Sequence, residues 1–238
     1  MSSLSYALGR KTAPLFFKAN WIAKSLTGSE PEKIEAEYKM GKLLAKTYEQ
    51  KVASAENNRL SRIADQLISC LRNKHRTFSF KCDQSGVPNA LAIPGGFIYL
   101  SENLFDLCGE DIDAIAFVLA HEIGHTIHGD ANKRFLTKAV INGLLRIRTR
   151  GVSQPLQQLL GHLMQQGYSR EQEFRADRFA VALTKAAGFD PIGGCRLFSM
   201  LQKFENEPSA TGAYFSSHPA LSDRIEQIKV TCRKSEVK

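Results

Sequence analysis

No stretch of this chain reaches the roughly 18 uncharged apolar residues that a bilayer-crossing helix requires. Near the N-terminus, Leu15-Phe16-Phe17 is preceded by Arg10 and Lys11 and closed by Lys18, too short and too charged for the apolar segment of a secretion signal. The expected location is therefore cytoplasmic or peripherally membrane-associated. Cysteine is scarce: Cys70, Cys82, Cys108, Cys195 and Cys232 are odd in number, widely spaced and form no C-x-x-C pair. Neither a disulfide framework nor a cysteine zinc site is signalled. Repeats are absent, and 43% hydrophobic with 24% charged residues excludes a collagen-like or wholly disordered chain. Acidic residues are in deficit, 24 against 32 Lys and Arg, for a formal charge of +8. Lys and Arg nevertheless form no long run, and no basic motif has interleaved aromatics, so no nucleic-acid partner is expected.

What is present fits one domain with an appended segment. Residues 1–29 form an N-terminal arm, and 30–238 the folded domain. Within the arm, residues 8–26 combine Arg10, Lys11, Lys18 and Lys24 with Phe16, Phe17 and Trp21. That mixture suits weak contact with an anionic membrane, or packing on the protein's own surface. From Glu30 the pattern turns helical, with Ser29 as N-cap, Pro31 in the first turn and Glu30, Glu32 and Glu35 complementing the helix dipole. A second amphipathic helix carries Leu60, Ile63, Leu67, Ile68 and Leu71. Phe78, Phe80 and Cys82 alternate with polar residues as in a half-buried strand. Two further short strands, 89–93 and 97–100, flank a Pro94-Gly95-Gly96 break. From Ser101 onward the chain reads as helix after helix. The fold class is α+β, mainly helical, with a small sheet.

His121-Glu122-Ile123-Gly124-His125 is an H-E-x-x-H pattern closing an apolar helical run (Ile115, Phe117, Val118, Leu119). Residues four apart share a helix face, about 6 Å apart along the axis, so both imidazoles can reach one Zn²⁺ at about 2.1 Å. Glu122 is turned about 100° from His121 and flanks the ion without binding it. From there it can take a proton from the attacking water and return it to a leaving amine.

A catalytic zinc needs a third protein ligand and an open position. His128 lies on the right face but seven residues on, about 10.5 Å along the axis, too far while the helix continues. Gly129 is the expected end of that helix. Farther on, Glu171-Gln172-Glu173-Phe174-Arg175-Ala176-Asp177 is a carboxylate cluster with helical pattern. Glu171 and Glu173 are turned about 200° apart, so only one can face the ion. The Glu173 face continues to Asp177, which can hydrogen-bond a ligand histidine, and to Ala180. The Glu171 face continues to Arg175 and Arg178 and reads as solvated surface. Glu173 is the expected third ligand.

Four blocks together resemble the HtpX-like, CAAX prenyl endopeptidase-type zinc metalloendopeptidases, gluzincins with compact BepA- and LoiP-like members. They are residues 89–99, the H-E-x-x-H at 121–125, residues 169–177, and His218-Pro219 with Arg224-Ile225. The resemblance implies a gluzincin fold, one zinc held by His121, His125 and Glu173, and Glu122 as general base. It also implies that the 95–100 strand is an edge along the cleft, to which a peptide adds as a strand; Gly95 and Gly96 would permit the close approach. Many relatives carry membrane spans or a secretion signal, which this sequence does not display.

The expected activity is endoproteolysis of unfolded or membrane-associated proteins. A chaperone-like binding module with a latent metal site is the alternative, against which the intact Glu122 speaks. A second donor beside the zinc would stabilise the tetrahedral oxyanion, with His218 the first candidate and Tyr214 the second. In the other role His218 would fill the open zinc position and hold the enzyme latent.

Overall fold

The computed structural model describes Trp21, residues 23–72, 75–141 and 167–203, His218, and residues 221–236. Tyr214, Ser216, Ser217, Pro219 and nearly all of the arm's basic and aromatic residues lie outside these. Helix α1 spans Glu30–Glu49, with the Glu32 carboxylate accepting from the Ser29 backbone N–H at 3.0 Å and Pro31 in the first turn. A two-residue strand β1 (Ser54–Ala55) precedes α2 (Asn58–Ser69), whose first turn is capped by the Asn57 side chain. Strands β2 (Ser79–Asp83), β3 (Ala90–Ile93) and β4 (Phe97–Ser101) follow, then α3 (Glu102–Cys108), α4 (Ile112–Ile127) and α5 (Asp130–Ile141). Beyond these come α6 (Arg170–Ala186), α7 (Gly193–Lys203) and α8 (Leu221–Glu236).

The sheet has the order β1-β2-β4-β3, with β2 parallel to β4 and β3 antiparallel to it. Strand β4 is therefore interior, and the expected edge at 95–100 is instead β3. The cause is the Pro94-Gly95-Gly96 turn, which folds β3 back onto β4 in register (Ala90 opposite Leu100, Ile93 opposite Phe97). Gly95 and Gly96 have φ of +86° and +92°. Their missing Cβ atoms make room for backbone of this chain: a Cβ on Gly95 would lie 2.7 Å from Tyr38 Cα in α1, and one on Gly96 would strike the Thr77 carbonyl. The two glycines thus serve packing of the turn within the chain.

Side-chain alternation splits the sheet between two cores. Ala90, Ala92, Ile98 and Leu100 join the main core around α4 and α2, whereas Leu91, Ile93 and Tyr99 join a smaller core beneath α1. Trp21 belongs to the smaller core, its ring edge-on to Phe135 at 5.2 Å. This end of the arm packs on the domain, so Trp21 does not supply the membrane contact that residues 8–26 suggested.

Helix α4 is the axis of the molecule. Asp111 caps it by accepting from the Ala114 N–H, and every residue from Ala114 to Thr126 is buried. Burying a side chain such as Phe117 contributes about 1.5–3 kcal/mol. Its neighbours come close through small residues. Gly194 of α7 lies against the Phe117 ring, and a Cβ on Gly124 would meet Phe179 at 3.2 Å and Ala176 at 3.4 Å in α6. That approach at Gly124 sets α6 near enough for its first turns to reach the histidines.

Candidate metal centre

His121 and His125 project from the C-terminal half of α4, one turn apart, and both rings are buried. Glu173, also buried, comes from the first turn of α6, a helix fixed by the Ser169–Gln172 capping box. The ligand atoms converge. His121 Nε2 is 3.0 Å from His125 Nε2 and 3.6 Å from Glu173 Oε2, and His125 Nε2 is 3.3 Å from Glu173 Oε1. Atoms about 2.1 Å from one ion at tetrahedral angles stand about 3.4 Å apart, so the residues fit a tetrahedral metal.

The histidines' other nitrogens strengthen that fit. His121 Nδ1 lies 2.9 Å from Asp177 Oδ1, and His125 Nδ1 lies 3.2 Å from Asp130 Oδ2. With each Nδ1–H donated to a carboxylate, the two Nε2 atoms turn lone pairs toward one another, an arrangement that a cation satisfies. Burial, followed by the Arg224 charge, lowers the His121 pKa and favours the neutral ring a metal needs. For His125 burial also acts downward, but Asp130 and Glu173 outweigh it and the net shift is upward.

Arg224 of α8 anchors the carboxylates. Fully buried over the Phe198 ring, it donates from Nε and Nη2 to the two oxygens of Asp177, both at 2.8 Å. Its Nη1 lies 2.6 Å from Glu173 Oε2. Burial alone would raise Glu173 and Asp177, but Arg224 reverses this and holds both below the usual carboxylate range. Asp130, the first residue of α5, is tied to α6 by Gln172 Nε2 at 3.1 Å and by the Arg175 guanidinium. Burial acts against its ionisation, but His125 and Arg175 bring it to about 2.

Other expected residues divide clearly. Glu122 is buried next to the histidines, and neither of its carboxylate oxygens has a hydrogen-bond partner among the described residues. His128 caps α4, its ring edge-on to Phe179, and Gly129 takes φ +70° to end the helix as expected. Glu171 is exposed. Arg175, expected on solvated surface with Glu171, instead reaches Asp130, because the Gly129 turn swings the start of α5 alongside α6. His218 lies inside the centre: Nδ1 is 3.2 Å from Glu173 Oε1, and Nε2 faces Glu122 Oε1 at 3.5 Å. A ligand atom from each of His121, His125, Glu173 and His218 lies within 4.8 Å of the others.

Three contributors were not anticipated. Asp130 carries a signal, a carboxylate just past a glycine helix stop and one turn beyond His125. Arg224 stands out in the sequence only through the block it shares with His218, Pro219 and Ile225. Tyr168, next to the α6 N-cap, lays its ring flat on the His125 imidazole, with centroids 3.7 Å apart and planes at 11°. Nothing local in the sequence marks that contact.

Comparison with known proteins adds an independent line. The family model described as Peptidase family M48 matches residues 54–231. The mitochondrial metalloendopeptidase OMA1 of Saccharomyces cerevisiae is 29% identical over 153 residues, 61% of this chain and 44% of that protein. OMA1 of Schizosaccharomyces pombe is 28% identical over 75% of this chain and 54% of its own length. Metalloprotease LoiP of Escherichia coli is 26% identical over 72% and 68%. The chain spans about half the length of the two OMA1 relatives.

Proposed function

The chain belongs to peptidase family M48, and from that premise we propose that it is a zinc-dependent metalloendopeptidase cleaving protein substrates, the unfolded or membrane-associated ones above all. The observation that carries this reading is the convergence of three buried ligand atoms, 3.0–3.6 Å apart, beside the buried Glu122 carboxylate, which accepts no hydrogen bond among the described residues. His121, His125 and Glu173 would hold one zinc, with Asp177 and Asp130 orienting the two imidazoles. Bound there, zinc would polarise the scissile carbonyl and acidify the attacking water.

Glu122 takes the proton of that water as its oxygen bonds to the carbonyl carbon, and delivers it to the amine nitrogen as the C–N bond breaks. A binding module needs no such base, which favours the enzyme over a chaperone-like protein with a latent site. His218 is the second catalytic group in this reading. Placed between Glu173 and Glu122, it offers a ring N–H to the developing negative charge, or in a latent form a nitrogen to the open metal position. Edge strand β3, packed against α4, is where a substrate strand would add. Residues 30–238 form the catalytic domain in this reading. No helix among the described residues is long and apolar enough to cross a membrane, and any membrane contact would rest on the basic residues of the arm.

The test is digestion of an unfolded casein-type substrate by the zinc-loaded chain, with and without a chelator, beside Glu122→Gln. The variant should keep its zinc and lose at least about 10²–10⁴-fold in turnover. Chelator-insensitive cleavage, or near wild-type turnover by zinc-loaded Glu122→Gln, would overturn the reading.

A further inference from the structure

The parallel stack of Tyr168 on His125 leaves the phenol hydroxyl of Tyr168 fully buried, with no hydrogen-bond partner among the described residues. Burying a hydroxyl without a hydrogen bond is costly, so its position calls for an explanation. The ring alone would fill the space and stack on His125 as well; Phe would do this without stranding a polar atom. Its other surroundings are also specific. The Arg134 guanidinium lies 4.1 Å from the ring centroid, and the His218 ring lies 5.5 Å away. The same His218 ring has Nε2 3.5 Å from Glu122 Oε1, and the Glu122 oxygens accept no hydrogen bond among the described residues. A hydroxyl and a carboxylate, neither hydrogen-bonded among the described residues, therefore flank one histidine of the ligand cluster. The phenol carries an O–H that can donate one hydrogen bond.

Peptide hydrolysis needs both a base and a donor. As water adds to the carbonyl carbon, the C=O π pair moves onto oxygen, and that oxyanion needs a fixed donor aimed at it. The two ring nitrogens of His218 face Glu173 and Glu122, so a further donor that is not aimed at a carboxylate would complement it. We propose that the Tyr168 hydroxyl donates a hydrogen bond to the carbonyl oxygen of the scissile peptide, strengthening as the oxyanion forms, which makes Tyr168 a catalytic residue. No proton is transferred to the oxyanion; it collapses back to a carbonyl when the amine leaves with the proton from Glu122. The assignment rests on the metalloendopeptidase reading above.

Tyr168→Phe removes the hydroxyl and keeps the stack. In the zinc-loaded chain it should lower kcat by about 10²-fold with KM within a few-fold, since loss of one oxyanion donor costs about 10²–10³-fold. Zinc content should match wild type, and affinity for a phosphinic peptide, a mimic of the tetrahedral species, should fall in proportion to kcat. Affinity for an uncleaved peptide carbonyl, measured on Glu122→Gln with and without Tyr168→Phe, should change by only a few-fold. A kcat within two-fold of wild type would overturn the proposal, as would a loss of activity that merely follows a loss of zinc. A wild-type chain that cleaves nothing with zinc present would be a failure of the peptidase reading, and the role of Tyr168 would fall with it. An active wild type with an equally active Tyr168→Phe refutes Tyr168 alone.

Discussion

Asp130→Ala tests how far zinc affinity depends on orientation of the ligand rings. Asp130 accepts from His125 Nδ1 at 3.2 Å, and both side chains are fully buried. Alanine leaves that N–H without an acceptor in a place water does not reach, at a cost of about 1–3 kcal/mol. It also frees the imidazole to change tautomer or rotate on its helix. Arg175 loses its partner too, but that side chain is 40% exposed and can hydrate, so it adds little to the loss. The combined effect should match the 10–100-fold loss of affinity typical when a ligand's supporting carboxylate is removed, about 1.4–2.7 kcal/mol. Asp130→Asn keeps an amide oxygen facing Nδ1 and should lose less than about 10-fold by the same logic. Competition against a chromophoric chelator gives the dissociation constants. Zinc affinity of Asp130→Ala within two-fold of wild type would refute the argument, and equal losses in the two variants would make charge, not orientation, the contribution of Asp130.

Glu173→Ala should sharply reduce both zinc content and activity while Glu171→Ala leaves both within a few-fold; metal analysis of the purified variants decides, and wild-type zinc in Glu173→Ala would remove the assignment. His218→Ala should lower turnover if its N–H serves the developing charge and raise it if the ring closes the open metal position, and unchanged turnover excludes both. On the far side of α4, Arg196 donates to Asp111 Oδ2 at 2.6 Å and Oδ1 at 2.9 Å, and so holds the α4 N-cap carboxyl below its usual pKa. A depressed folded pKa stabilises fully above the unfolded value of about 3.9 and is lost as pH falls through the folded value. Arg196→Ala should therefore lower Tm by about 2–4 °C near neutrality, for about 1 kcal/mol in a partly exposed network, with the gap closing below about pH 4. A gap independent of pH would refute the linkage.

How much of this could be read in the sequence depends on the range of the interactions. Local periodicity marked α1 with its Ser29 cap, the Leu60-to-Leu67 face of α2 and the three longer strands, because propensity and amphipathic spacing act over a few residues. The pairing order of those strands was not local. Whether β3 or β4 forms the edge depends on how the Gly95-Gly96 turn docks on α1, tens of residues earlier in the chain. The same division holds in the site. The four-residue spacing of His121 and His125 is a helix property, and so is the opposition of Glu171 to Glu173. Asp130, Arg224 and Tyr168 reach the centre only because α5, α8 and the approach to α6 pack around α4, through contacts with no fixed spacing. A local rule even misled at Arg175: read with Glu171 it looked like solvated surface, yet its guanidinium crosses to Asp130.

Charge balance at the centre leads to the remaining prediction, on metal removal. Among the described residues, four buried carboxylates cluster there, from Glu122, Asp130, Glu173 and Asp177, and the guanidinium groups of Arg224 and the half-buried Arg175 pair with three of them. With imidazoles neutral, as ligation requires, the carboxylates outnumber the cationic side chains beside them, an excess of negative charge that a divalent cation offsets. A buried excess of like charge is costly, so the folded chain should bind the metal far better than the unfolded chain does. At free zinc of about 100–1,000 times the dissociation constant, this linkage is worth about 2.7–4.1 kcal/mol. For a domain of this size each kcal/mol moves Tm by about 2–4 °C, so complete chelation should lower Tm by about 5–15 °C. Zinc, added back beyond the chelator, should restore it, whereas sodium at equal ionic strength should not, because screening reaches a buried cluster poorly. A Tm unmoved within about 1 °C, in a chain shown by metal analysis to have lost its zinc, would mean that protons or water balance these carboxylates and that the centre is not built around a divalent ion.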